Sequence, residues 1–84
     1  SADYEYPNDG TSAGNTVRIV NKLPHDFYNG RIRFLLKKGR YAIDGGDILA
    51  QYDAADGEKT AVLVNVNIRK NAEMRVSARA CADR

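Results

Sequence analysis

Thr60-Ala61-Val62-Leu63-Val64-Asn65-Val66-Asn67-Ile68 alternates without a break. Val62, Val64, Val66 and Ile68 fall on one side of an extended chain; Ala61, Leu63, Asn65 and Asn67 fall on the other. A period of two is what a half-buried strand requires, because successive side chains leave a pleated backbone in opposite directions.

The same rhythm recurs on both sides of this stretch. Downstream, Arg69-Lys70-Asn71 turns the chain into a last strand that sets Met74, Val76, Ala78 and Ala80 against Glu73, Arg75, Ser77 and Arg79. Upstream, the turn Ala54-Ala55-Asp56-Gly57-Glu58 leads back to a strand over Ile48 to Asp53. Gly45-Gly46, between Asp44 and Asp47, reads as a two-residue hairpin link, since both central residues of a type I′ turn need positive φ. Before it come Arg40 to Asp44, a bend at Lys38-Gly39, and Arg31 to Lys37 with Ile32, Phe34 and Leu36 on one face. Leu23 to Gly30 interrupts the pattern with Pro24 and an Asn29-Gly30 turn signal. Ahead of that, Val17 and Ile19 share a face opposite Arg18.

No window places apolar residues at helical spacing, so helix beyond a turn or so is not expected. Six strands with short links, seven if the leader contributes one, point to an all-β sandwich or small barrel. We expect a small antiparallel β-sandwich whose last four strands form a meander. Its predicted core is Val17, Ile19, Ile32, Phe34, Leu36, Tyr41, Ile43, Ile48, Val62, Val64, Val66, Ile68, Met74, Val76 and Ala78.

Residues 1–15 read as a flexible leader or a short edge strand, 16–81 as the sandwich and 82–84 as a tail. Pro7 to Asn15 is almost wholly turn chemistry, whereas Asp3-Tyr4-Glu5-Tyr6 alternates polar and aromatic residues. The opening Ser1-Ala2-Asp3 suits a processed or excised module of a longer protein. At 84 residues the chain is sized for one domain with a thin stability margin, burying about 60–65% of the surface it exposes when unfolded.

Composition narrows the function classes. Hydrophobic residues at 43% and charged residues at 29% suit an ordinary globular chain and are too apolar for general disorder. A net charge of +2 disfavours nucleic acid as the partner, which calls for a strong basic excess. No apolar run is long enough to span a membrane. Cys81 is the single cysteine, so no internal disulfide forms; it serves as a small apolar residue, a free thiol or the partner of a cysteine outside this chain.

Candidate chemistry is sparse. His25 is the only histidine, which rules out a two-histidine metal site. A triad built on it would need Ser1 or Ser12 from the leader, or Ser77 from mid-strand without a nucleophile-elbow glycine pattern. No enzyme, cofactor or metal site is expected on these grounds. Asp53, Asp56 and Glu58 crowd one turn and Asp44 and Asp47 flank another, but the spacing does not match an EF-hand, and aspartates are ordinary turn formers.

Arg18, Arg31, Arg33, Arg75 and Arg79 all fall on the non-core phase of their strands. If the first, second and last of these strands share a sheet, the guanidiniums form a basic face able to grip carboxylate, sulfate or phosphate. The same pattern also makes a plain solvated sheet surface, where charge blunts edge-to-edge pairing. Among five tyrosines, Tyr41 and Tyr52 belong in strands, while Tyr4, Tyr6 and Tyr28 lie in exposed segments and are the candidates for contact with a protein or a sugar. Packing on the rim of the core is the alternative role for these rings.

Asn21-Lys22-Leu23-Pro24, Arg31-Ile32-Arg33-Phe34 and Lys38-Gly39-Arg40-Tyr41, followed by Gly45-Gly46, carry a resemblance that runs from about Thr16 to Ala80. The pattern resembles the immunoglobulin-like and fibronectin-III-like accessory modules of secreted bacterial enzymes and surface proteins, many of which act on polysaccharides. The Cys…Trp…Cys hallmark of true immunoglobulin domains is absent, so the likeness is one of architecture. It implies a non-catalytic accessory module of a secreted or cell-surface protein, in contact with a neighbouring domain, a protein or a glycan. The alternative is a polyanion-binding module using the arginine-rich face.

Overall fold

The alternating stretches form seven strands: β1 (Asp3–Pro7), β2 (Asn15–Val20), β3 (Phe27–Lys37), β4 (Tyr41–Asp44), β5 (Asp47–Asp53), β6 (Lys59–Ile68) and β7 (Glu73–Ala80). The computed structural model describes the backbone of residues 3–7 and the backbone and side chains of residues 15–81. The strands make two sheets, one ordered β1-β3-β6-β5 and the other β2-β7-β4. The chain is all-β, a small sandwich. Every pairing is antiparallel except that of β1, which runs parallel to β3 at the edge of the larger sheet.

The Thr60–Ile68 stretch lies at the centre, in β6, flanked by β3 and β5. Val62, Val64, Val66 and Ile68 are buried with Ile32, Phe34 and Leu36 of β3, and meet Val76, Ala78 and Tyr41 of the second sheet. Val17, Ile19, Ile43 and Met74 pack against this core half-buried. Two positions depart from the expected pattern. Ile48 is 41% exposed, because β5 is an edge strand and the four-residue β4 lies across from it without covering it. Ala61, on the outward phase of β6, is fully buried between its larger register neighbours Leu35 and Tyr52.

The expected meander is also corrected. Only β5 and β6 form a hairpin, closed by Gly57 N–H on the Ala54 carbonyl at 2.8 Å and Glu58 N–H on Asp56 Oδ1 at 2.8 Å. Gly45-Gly46 carries the chain from one sheet to the other. At φ +93° and against the Arg75 carbonyl, Gly45 has no room for a side chain; a Cβ on Gly46 would lie 2.6 Å from Val64 Cγ1. The double glycine is therefore a close crossing between β7 and β6. The Asn29-Gly30 signal marks a bulge inside β3: pairing steps from Phe27↔Ile68 to Gly30↔Val66, and Asn29 sits at φ +60°. The Phe27 ring lies over Gly30, where a Cβ would come within 2.5 Å of Cε2.

Buried polar side chains pin the links. Asn21 Nδ2 donates to the carbonyls of His25 (3.0 Å), Ile68 (3.0 Å) and Arg69 (3.2 Å), while Oδ1 accepts the Leu23 N–H at 2.9 Å. This one amide ties the β2–β3 link to the crossing from β6 to β7. At the other end Thr60 Oγ1 accepts from Gly39 N–H and donates to its carbonyl. Gln51 acts as a pseudo-strand: Oε1 accepts the Tyr41 N–H at 2.9 Å and Nε2 donates to the Tyr41 carbonyl at 3.3 Å. That blunts the edge of β4. Among the described residues no buried side-chain polar atom lacks a partner.

Candidate functional site

The five arginines do not share a face. Arg18 of β2 and Arg75 and Arg79 of β7 belong to the smaller sheet; Arg31 and Arg33 belong to β3 in the other. Sheet membership separates them across the thickness of the sandwich. Within each group they are also engaged. Arg18 meets Glu73 at 2.9 Å, with its register neighbour Arg75 at 4.0 Å from the same carboxylate. Arg79 Nε donates to Asp44 Oδ2 at 2.9 Å, a bond that holds the Asp44 carboxyl below its ordinary range and the guanidinium above its own. Arg33 Nε donates to the Tyr52 hydroxyl at 3.2 Å, and the register of β1 sets Asp3 beside Arg31 and Glu5 beside Arg33. A continuous basic face does not form.

Of the candidate tyrosines, Tyr4 and Tyr6 stand on β1 in register with Ile32 and Phe34, and their side chains lie outside the described residues. Tyr28 stands at the bulge of β3 and is 63% exposed. Its hydroxyl donates to Asp26 Oδ2 at 3.0 Å, while Asp26 Oδ1 accepts the backbone N–H of Lys70 at 2.8 Å. The Lys70 N–H and then the tyrosine hydroxyl keep the Asp26 carboxyl below its ordinary range; bonding to that carboxylate raises the Tyr28 phenol. An aromatic ring is thus held in solvent by a carboxylate that is itself anchored to the β6–β7 crossing.

Asp26, Tyr28, Asn67, Ile68 and Arg69 line a cleft of about 440 Å³. Asn67 Oδ1 accepts the Asn29 N–H at 2.8 Å, which orients the amide, and Nδ2 has no protein partner among the described residues. The Arg69 guanidinium likewise forms no ion pair or hydrogen bond among them. The cleft joins one exposed aromatic face to several polar groups. Comparisons with family models, curated proteins and solved structures give no match.

A second cleft opens beside it at the same end of the sandwich. Ile19, Val20, Leu23, Phe27, Val66 and Ile68 line it together with Asn21, and its volume is about 180 Å³. Small-molecule pockets start at about 300 Å³. It is an uncapped end of the core.

His25 lies on the exposed β2–β3 link, with Nδ1 2.8 Å from the Asp26 carbonyl. The acidic turns are dispersed into local roles: Asp44 pairs with Arg79, Asp53 lies 3.7 Å from Lys38, and Asp56 closes its own turn. Among the described residues no three His, Cys, Asp or Glu side chains gather as a metal site. Cys81 is exposed, and its N–H is bonded to the Arg40 carbonyl at 2.9 Å. No helix among the described residues is long and apolar enough to cross a membrane.

Of these residues only Tyr28 is conspicuous in the sequence. Asn67 and Arg69 carry a fainter signal, the alternate polar positions Asn65, Asn67 and Arg69 along β6 and just past its end, and Asp26 carries none. Asn21 and Gln51 gave no signal, because an amide that bonds main chain far away in sequence looks like any surface polar residue.

Proposed function

We propose that the chain is a non-catalytic binding module of a secreted or cell-surface protein, and that it meets a glycan through the cleft beside Tyr28. The observation that carries this reading is the posture of Tyr28: a tyrosine left 63% exposed while its hydroxyl is tied down by Asp26. An aromatic ring with a fixed edge is pre-organised for a sugar's apolar face, and hydrogen-bonding groups around it suit hydroxyls.

Strand order supports the accessory-module reading. In an immunoglobulin sandwich strands A, B, E and D make one sheet and C, F and G the other. Here β1, β3, β6 and β5 follow the order A-B-E-D, and β4 and β7 the order C-F. The place of G is taken by β2, which enters from the N-terminal side, and β1 runs parallel to its neighbour.

The test is a titration of soluble polysaccharides against the domain by affinity electrophoresis and calorimetry. Binding that Tyr28→Ala abolishes, with the far-ultraviolet circular dichroism unchanged, is the expected result. Binding indifferent to Tyr28, or binding only to a protein partner, overturns the assignment of the cleft.

A further inference from the structure

We propose that the sugar bound beside Tyr28 is anionic, and that its carboxylate or sulfate is received by Arg69 and the Asn67 amide. This rests on the glycan reading of the cleft and specifies its ligand. Each Asp26 oxygen already accepts one bond, from the Tyr28 hydroxyl and from the Lys70 N–H. The Asn67 oxygen accepts the Asn29 N–H, which fixes the side of the amide that carries its donors. Two donor groups on residues lining the cleft, the Asn67 N–H₂ and the Arg69 guanidinium, form no hydrogen bond or ion pair among the described residues.

Open donors favour a ligand that brings acceptors. A guanidinium carries five N–H donors in a fixed fork that matches the paired oxygens of a carboxylate or sulfate, and such charge-assisted bonds are the strong ones. Asp26 brings one negative charge to the cleft, and Arg69 and Lys70 bring two positive charges close enough to act on it. Arg69 is also the cation nearest in effect to the Tyr28 hydroxyl. A sugar ring stacked on Tyr28 lies in the cleft that Arg69 also lines. The other arginines on sheet surfaces offer no such arrangement: Arg18, Arg75 and Arg79 face carboxylates of the same sheet.

The experiment compares polygalacturonate with its methyl ester, and dextran sulfate with dextran, on the parent domain and on Tyr28→Ala and Arg69→Gln. Each pair shares a backbone and differs in charge. At least one acidic form is expected to bind about tenfold or more tighter than its neutral counterpart. Arg69→Gln should erase that difference, and Tyr28→Ala should remove binding altogether. The Arg69 residue is exposed and its side chain forms no hydrogen bond or ion pair among the described residues, so this variant is expected to keep the parent's melting curve. Equal binding of acidic and neutral forms, both lost in Tyr28→Ala, overturns the anionic ligand and leaves the glycan site standing. So does acid-selective binding that survives Arg69→Gln. Failure of all four polysaccharides and of the wider panel sinks the glycan reading itself, and this inference with it.

Discussion

Replacing Asn21 with alanine is the most direct test of how this sandwich is held at the end that carries Tyr28. The Asn21 residue is 5% exposed, and its side chain meets three carbonyls and one N–H. Two amide hydrogens cannot serve three carbonyls fully, so the loss is two donated bonds and one accepted. At about 1 kcal/mol net for each, Asn21→Ala should cost about 3 kcal/mol. The Ile68 carbonyl, the buried member of the set, is then left short of a donor. Domains of this size hold about 4–13 kcal/mol in total, so one amide accounts for a quarter or more of the stability. The midpoint of thermal unfolding should fall by about 12–24 °C. Urea unfolding followed by circular dichroism and tyrosine fluorescence measures the change, with Lys22→Ala as an exposed neighbour expected to shift stability by no more than about 0.5 kcal/mol. Because Asn21 also anchors His25, the link that positions Asp26 should loosen, and polysaccharide binding should weaken before the fold is lost. A loss below about 1 kcal/mol for Asn21→Ala would mean that the amide is not the clamp its contacts describe.

Gly45→Ala should destabilise by about 2–3 kcal/mol, because the φ of +93° is strained for alanine and its Cβ meets the Arg75 carbonyl; Gly57→Ala, at φ +74° with open space around it, should cost only about 1 kcal/mol in the same melts. Gln51→Leu leaves the Tyr41 N–H and carbonyl without their side-chain partner and should cost about 1–2 kcal/mol while increasing light scattering on concentration, as the edge of β4 is bared. Stability should also depend on acid. The carboxyls of Asp26 and Asp44 are held below the ordinary value of 3.8 in the folded state, so their contribution is complete above that pH and disappears as pH falls through the lower folded values. Urea midpoints measured against pH in the parent and in Asp26→Asn with Asp44→Asn check this: the double variant should show a flatter acid limb, and equal slopes would contradict it.

Much of the core was legible before any strand was placed. Phe34, Ile32, Leu36, Val62, Val64 and Val76 are the large fully buried side chains, and each lies on the apolar phase of its own alternating run. Ile48 obeys the same phase and is exposed, since burial also needs a strand across the way. The site was half legible. Tyr28 stood out as an aromatic in a turn-rich segment, but its fixing by Asp26, and the approach of Asn67 and Arg69 from the end of a strand about forty residues on, depend on pairing between β3 and β6.

Alternation along the backbone is a local property, since each side chain chooses a face from its immediate neighbours on a pleated chain, and so strand identity and facing could be read residue by residue. Membership of a sheet is not local. A two-glycine link is as compatible with a hairpin as with a step between layers, and here the layers chose, because Gly45 and Gly46 fit only where β7 and β6 press close. The same choice divided the arginines between opposite faces and brought Asp26, Tyr28, Asn67 and Arg69 to one end. Burying both apolar faces at once, within a chain this short, is what decided it.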